Sequence, residues 1–139
     1  MRLLHESNRA DSKGIWLDAS QESDGTLRTL GLLVALYQDP TPPFVTIEEP
    51  ELTIHPGALS VLADVIMETS LRSSVLVTTH SPELLDRLPI DCIRSVDAED
   101  GATRVGAVAE HQKTAVAKGL FSPGELHRME GLQPTSRDD

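Results

Sequence analysis

Two short β-prone runs with a helix between them constrain this chain more than any other feature. Phe44-Val45-Thr46-Ile47 and Ser74-Val75-Leu76-Val77-Thr78-Thr79 are rich in apolar and β-branched residues and show no strict polar alternation. Such continuous runs suit strands of a parallel sheet, which pack on both faces, better than half-exposed antiparallel strands. Between them, Pro56 and Gly57 open a helical stretch carried by Leu59, Leu62, Val65 and Ile66. Parallel strands cannot be joined by a tight turn, so strand, crossover helix and strand form the repeating unit of α/β sheets. Sheets of this class bind ligands beyond the carboxyl ends of their strands. Both runs end there on ionisable residues: Glu48 and Glu49 after the first, His80 after the second.

The rest of the chain follows the same alternation. From Thr26, Leu27, Leu30, Leu33 or Val34, and Tyr37 recur at helical spacing, until Asp39-Pro40-Thr41-Pro42-Pro43 stops the helix. Residues 1–13 are polar without a clear period and read as a loose lead-in. Gly14-Ile15-Trp16-Leu17 is a short apolar patch of strand character, and residues 20–25 form a polar loop. Ser81-Pro82-Glu83 is a helix start, with Ser as cap, Pro in the first position and Glu near the positive end. Ile90 to Val96 and Thr103 to Val108 predict two further strands, split by a turn at Glu99-Asp100-Gly101. A short helix is expected around Lys113–Lys118. A capping box, Ser122-Pro123-Gly124-Glu125, opens a last helix to Met129, and the polar end from Gln133 to Asp139 reads as loose.

Composition narrows the function classes. The 139 residues carry 12 Lys and Arg against 22 Asp and Glu, a formal net charge of −10. That balance argues against passive coating of nucleic acid or anionic membrane, and aromatics at 3% argue against a base-stacking platform. Cys92 is the only cysteine, which excludes an internal disulfide and a multi-cysteine zinc site and favours a reducing compartment. The longest stretch without a polar side chain before its last residue, Leu30 to Tyr37, falls far short of the ~20 residues that span a bilayer. A cytoplasmic domain without a membrane partner is the expectation.

Glu48 and Glu49 carry the most chemical information. Consecutive strand residues point to opposite sides, so the two carboxylates have different surroundings. One can face a metal while the other faces a water; the plainer alternative is a solvated turn where the sheet stops. Glu51 and His55 are four apart and could share a helical face as metal ligands, but Pro56 places the helix after them. A serine hydrolase lacks its Gly-x-Ser-x-Gly elbow here, and Ser81 directly after His80 is a capping arrangement.

The neighbours of these residues carry a resemblance. Phe44-Val45-Thr46-Ile47-Glu48-Glu49-Pro50-Glu51 resembles the Walker B element of ABC-type ATPases, above all the RecF- and SMC-like branch that includes bacterial AAA-family ATPases. Leu52-Thr53-Ile54-His55-Pro56 is similar to that branch's D-loop. Leu76-Val77-Thr78-Thr79-His80-Ser81-Pro82-Glu83-Leu84-Leu85 resembles its switch-histidine segment. Glu22-Ser23-Asp24-Gly25-Thr26-Leu27-Arg28 resembles its signature motif. The four motifs stand in the family's order. The resemblance implies an α/β, three-layer, parallel-sheet P-loop NTPase fold that binds and hydrolyses ATP with Mg²⁺. Glu48 matches the position that holds Mg²⁺ through water, where Asp is commoner, and Glu49 the residue that polarises the attacking water. His80 matches the histidine that contacts the γ-phosphate; by itself it would read as a satisfied strand-end histidine. Ser23, Asp24 and Gly25 match signature residues that meet nucleotide bound on an opposite subunit, although Ser23 alone would read as an ordinary helix cap. His55 falls at the D-loop interface, or is a polar surface residue.

One element of the family is missing. The phosphate-cradling loop needs Gly-x-x-x-x-Gly-Lys followed by Ser or Thr, and no glycine in this chain is followed by lysine. The resemblance therefore implies the C-terminal half of such an ATPase. Residues 1–139 would be one partial domain, with a core from signature to switch histidine at 20–88 and terminal strands and helices at 89–139. It would act in a dimer with a Walker A-bearing half or homologous subunit and reach nucleic acid only indirectly. The alternative is a non-catalytic interaction module, or a truncated remnant of such an ATPase.

Overall fold

The computed structural model describes residues 2–5, 15–99 and 101–135. Its centre is the expected parallel pair, β3 (Phe44–Glu48) and β4 (Ser74–Thr78), in a register that sets Phe44 opposite Ser74 and Glu48 opposite Thr78. Before it come β1 (Arg2–His5), β2 (Ile15–Asp18) and helix α1 (Asp24–Tyr37); between its strands runs α2 (Leu59–Ser70). Ser23 caps α1, its hydroxyl accepting the Thr26 N–H at 3.1 Å. A single 3₁₀ turn, Pro56–Ala58, leads into α2 because Pro fits the first position of a helix and leaves no donor orphaned there.

Leu59, Leu62, Ala63, Val65 and Ile66 line the buried side of α2 at three- and four-residue steps. Leu59, Leu62, Val65 and Ile66 pack with Leu36 of α1 and Ile47 of β3, and Val45, Val75 and Val77 point into the same layer. Burying each of the Leu, Ile and Val side chains that are fully covered here stabilises the fold by about 1.5–3 kcal/mol. Both helices thus lie on one face of the strand pair. On the other face Phe44 and Leu76 are 56% and 54% exposed. The runs that read as wholly buried are therefore half-buried, because among the described residues nothing covers their second face.

The remaining strands form two separate antiparallel pairs. β1 pairs with β2 from Arg2–Asp18 to His5–Ile15. The beginning of the chain was expected as a loose lead-in, but Arg2–His5 is a strand; 6–13 lie outside the described residues. The pairing needs no polar alternation of its own, since a ribbon is held chiefly by backbone hydrogen bonds. Past β4 come the one-turn helix α3 (Pro82–Leu85) and the hairpin of β5 (Arg94–Glu99) and β6 (Ala102–Ala107), with Gly101 at φ 77° in its turn. The expected strand at Ile90 starts at Arg94 instead. Pro89 diverts Ile90–Cys92 into a 3₁₀ turn, and Ile93 anchors a second apolar cluster with Leu85 and Val108.

Helices α4 (Glu110–Ala117) and α5 (Pro123–Met129) close the chain. α5 begins with the expected reciprocal capping box of Ser122 and Glu125. It sits tightly on α3: Asp86 Oδ1 accepts the Gly124 N–H at 2.6 Å, and Arg128 pairs with Glu83. The segment from Gln133 was expected to be loose, but it is docked as far as Thr135. The Gln133 carbonyl accepts from Ala109 N–H, Thr135 N–H donates to the Ala107 carbonyl, and buried Gln112 accepts the Gln133 N–H. Residues 136–139 lie outside the described residues.

Candidate functional site

The carboxyl ends of β3 and β4 build the site. Glu49 follows β3 in the left-handed region, φ 40° and ψ 58°, the only described non-glycine residue with positive φ. Its N–H still donates to the Thr78 carbonyl at 2.9 Å, so the sheet holds its backbone while its side chain turns out of the strand. Pro50 then starts a 3₁₀ turn over Pro50–Thr53 that carries the chain away. On the adjacent strand His80 lies two residues beyond β4. Its Nε2 stands 4.0 Å from Glu49 Oε1, with the two side chains 82% and 39% exposed.

Arg28 joins this end of the sheet from α1. Its guanidinium donates to the carbonyls of Glu48 and Glu49, each at 3.1 Å. Arg28, Glu48, Glu49, Leu52 and Thr78 together line an open cavity of about 430 Å³. Glu51 reaches back across the strand ends, and its Oε1 accepts the Thr79 hydroxyl at 2.7 Å and the His80 N–H at 3.0 Å. That engagement takes Glu51 away from His55, whose Nδ1 accepts the Gly57 N–H at 3.1 Å. No group of three or more His, Cys, Asp or Glu among the described residues could hold a metal by itself.

The signature-like residues lie elsewhere. Ser23, Gly25, Thr26 and His55 share a depression of about 460 Å³ floored by Leu30 and Leu33. The Ser23 hydroxyl is 2.8 Å from Thr26 Oγ1 and caps α1, so the plain cap reading of Ser23 holds; Asp24 is the first residue of that helix. The structure thus gathers Glu48, Glu49 and His80 at one place, and Ser23, Gly25 and His55 at another.

A third cavity, about 500 Å³, opens behind His80 and is lined by Ser95, Asp97, His127 and Glu130 among others. The His80 and His127 rings are 6.4 Å apart. Nearby, the Glu83 carboxyl is held below its ordinary value of 4.5. Its own backbone N–H contributes most, followed by the Ser81 hydroxyl; burial opposes them, and Arg128 adds the least. Arg28, His127 and the bonds of Glu51 to Thr79 and His80 carry no sign in the sequence, because their partners lie far away in the chain and no local pattern marks them.

A family profile described as "AAA domain, putative AbiEii toxin, Type IV TA system" matches residues 6–86, more than half of the chain and all the strand-end residues above. The chain belongs to this AAA domain family. Solved structures agree with that membership at the level of fold. The AAA domain superposes on a structure from work on ATP-driven dimerization and DNA stimulated activation of SMC ATPases. The TM-score is 0.59 at 17% identity, over 86% of this chain and 80% of the other. It also superposes on the Smc head domain with a coiled coil and joint from Pyrococcus yayanosii. There the TM-score is 0.57 at 20% identity, over 76% of this chain and 20% of that one. No curated protein matches the sequence. The AAA domain is thus an ATPase-like module with the fold of SMC ATPase heads. No helix among the described residues is long and apolar enough to cross a membrane.

Proposed function

We propose that this AAA domain supplies the carboxylates and switch histidine of a composite site that hydrolyses ATP with Mg²⁺. The observation that carries the reading is the 4.0 Å approach of Glu49 to His80 at the carboxyl ends of a parallel pair, with Glu48 one residue away. The donor set fits magnesium. That ion takes hard oxygen ligands, keeps several waters and completes its shell from phosphates, so one or two carboxylates suffice where three would be needed for a cage. When bound, the ion neutralises charge on the phosphates.

The chain's own residues then divide the work. Glu48 offers its carboxylate to the hydrated ion. Glu49, swung out by its left-handed backbone, accepts a proton from or orients the attacking water. His80 donates toward the γ-phosphate. Ser23, Asp24 and Gly25, on a separate depression with His55, serve the nucleotide of an opposed subunit across a dimer interface. A Walker A-bearing half or subunit grips the triphosphate, because no Gly-Lys pair exists here to cradle it. Residues 20–88 are the core of this partial domain, 89–139 its terminal extension, and the cytoplasm its compartment. The missing Gly-Lys pair equally favours a second reading, an interaction module that keeps the fold and turns over nothing.

Single-turnover hydrolysis on the chain assembled with a Walker A-bearing partner separates the two. Glu49→Gln is expected to keep nucleotide binding and abolish turnover, since the amide fills the position but accepts no proton. Glu48→Gln is expected to weaken metal dependence and turnover together, and His80→Ala to slow turnover without removing the base. Parental rates in all three variants would leave the non-catalytic reading. The isolated chain is expected to bind ATP with Mg²⁺ weakly or not at all by calorimetry.

A further inference from the structure

His80 is 82% exposed, so packing does not hold its ring near Glu49. What is held is its backbone, and one side chain holds it. Glu51 Oε1 accepts both the His80 N–H and the Thr79 hydroxyl. The Thr79 oxygen accepts in turn from the Ser81 N–H at 2.9 Å. The Ser81 hydroxyl caps α3, accepting the Leu84 N–H at 3.2 Å. One carboxylate oxygen on the β3 side therefore fixes three consecutive residues on the β4 side. The other oxygen, Oε2, is buried without a partner. A buried acceptor left unpaired costs free energy, so the two bonds made by Oε1 are held against that cost.

We infer that Glu51 is a positioning residue that sets His80 against Glu49 by clamping the backbone of residues 79–81. The role of this clamp in turnover rests on the ATPase reading above; the clamp itself does not. It ties the exits of β3 and β4 together beyond the last ladder bond, and so fixes the main chain from which the exposed histidine ring projects toward Glu49. The two carboxylates of Glu-Pro-Glu thus act on the same histidine in different ways: Glu49 faces its ring and Glu51 holds its main chain.

Amide hydrogen exchange on the full chain, without nucleotide, tests the clamp. Glu51→Ala is expected to speed exchange at His80 by about tenfold or more while the α2 amides of Leu62, Val65 and Ile66 stay at parental rates; Glu51→Gln, whose carbonyl oxygen accepts the same bonds, returns His80 to within about threefold. Unchanged exchange at His80 in Glu51→Ala overturns the inference. So does a parallel rise in α2, which would mean a general structural role, and so does a Gln variant as open as Ala. If Glu51→Ala does not fold, Thr79→Val carries the test. It removes the bridging hydroxyl, and faster exchange confined to His80 and Ser81 is expected, while parental rates there overturn the clamp. In an assembled ATPase, Glu51→Ala lowers kcat and leaves KM for ATP near parental. Should the parental chain show no turnover in any assembly, the proposed function fails and the exchange result alone judges the clamp.

Discussion

Glu48, Glu49 and His80 stand out in the sequence because each lies at or within two residues of the end of an apolar strand, and the end of a parallel strand is where a polar residue has chemistry to do. Arg28 does not. Its partners, the carbonyls of Glu48 and Glu49, are 20 and 21 residues away and are backbone atoms, which leave no trace in a pattern of side chains. The same holds for the hydrogen bond between Glu51 and His80, 29 residues apart. Arg28 also has a measurable energetic role. Arg28→Met keeps much of the stem but removes both donors at the strand exit. A loss of about 1–3 kcal/mol is expected in urea unfolding. A midpoint within error of the parental chain would show that these two bonds are exchanged for water at no cost.

Among the elements, α1, α2, β3, β4 and α5 lie where periodicity and caps placed them, because each carries its own local signal. The β5–β6 hairpin starts later than its apolar content suggested, since Ile90 and Ile93 serve as anchors rather than strand residues. The docking of α5 on α3 was invisible, and it depends on one missing side chain. A Cβ at Gly124 would fall 2.6 Å from Asp86 Oδ1 and closer still to the Pro82 carbonyl. Gly124→Ala is therefore expected to cost about 1–3 kcal/mol and to loosen α5, read as a lower melting midpoint with increased exchange in residues 123–129. The same contact responds to acid. Glu83 has a lowered folded pKa, so its contribution is complete above its ordinary value of 4.5 and is lost as pH falls through the folded value. An NMR titration should show the Glu83 carboxyl with a midpoint below 4.5. Arg128→Met should move that midpoint only part of the way back, because the backbone N–H and Ser81 act independently of Arg128.

At the scale of the whole molecule, the sequence announced a parallel sheet but not how much of it would be covered. Apolar runs report that a strand is fit for burial on both faces; they do not report which neighbours arrive. Here both helices sit on the face of Val45, Ile47, Val75 and Val77, while Phe44 and Leu76 remain on the open one. Open apolar sheet surface is an association hazard. The isolated chain is expected to elute in size-exclusion chromatography as a concentration-dependent mixture. Replacing Phe44 and Leu76 together by Thr should shift it toward monomer without lowering its melting midpoint, since neither side chain belongs to the core. A parental chain that stays monomeric at every concentration would show that this face is harmless.

Glu49 occupies a left-handed backbone position that glycine or asparagine takes more readily, and a bulkier residue there carries a strain of about 1 kcal/mol. A directed-evolution campaign that selects only for heat resistance would therefore discard the acidic side chain at position 49 early and record the exchange as an improvement. Thermal screening and functional screening would pull this one codon in opposite directions, so the residue found there in a selected population reports which pressure was applied.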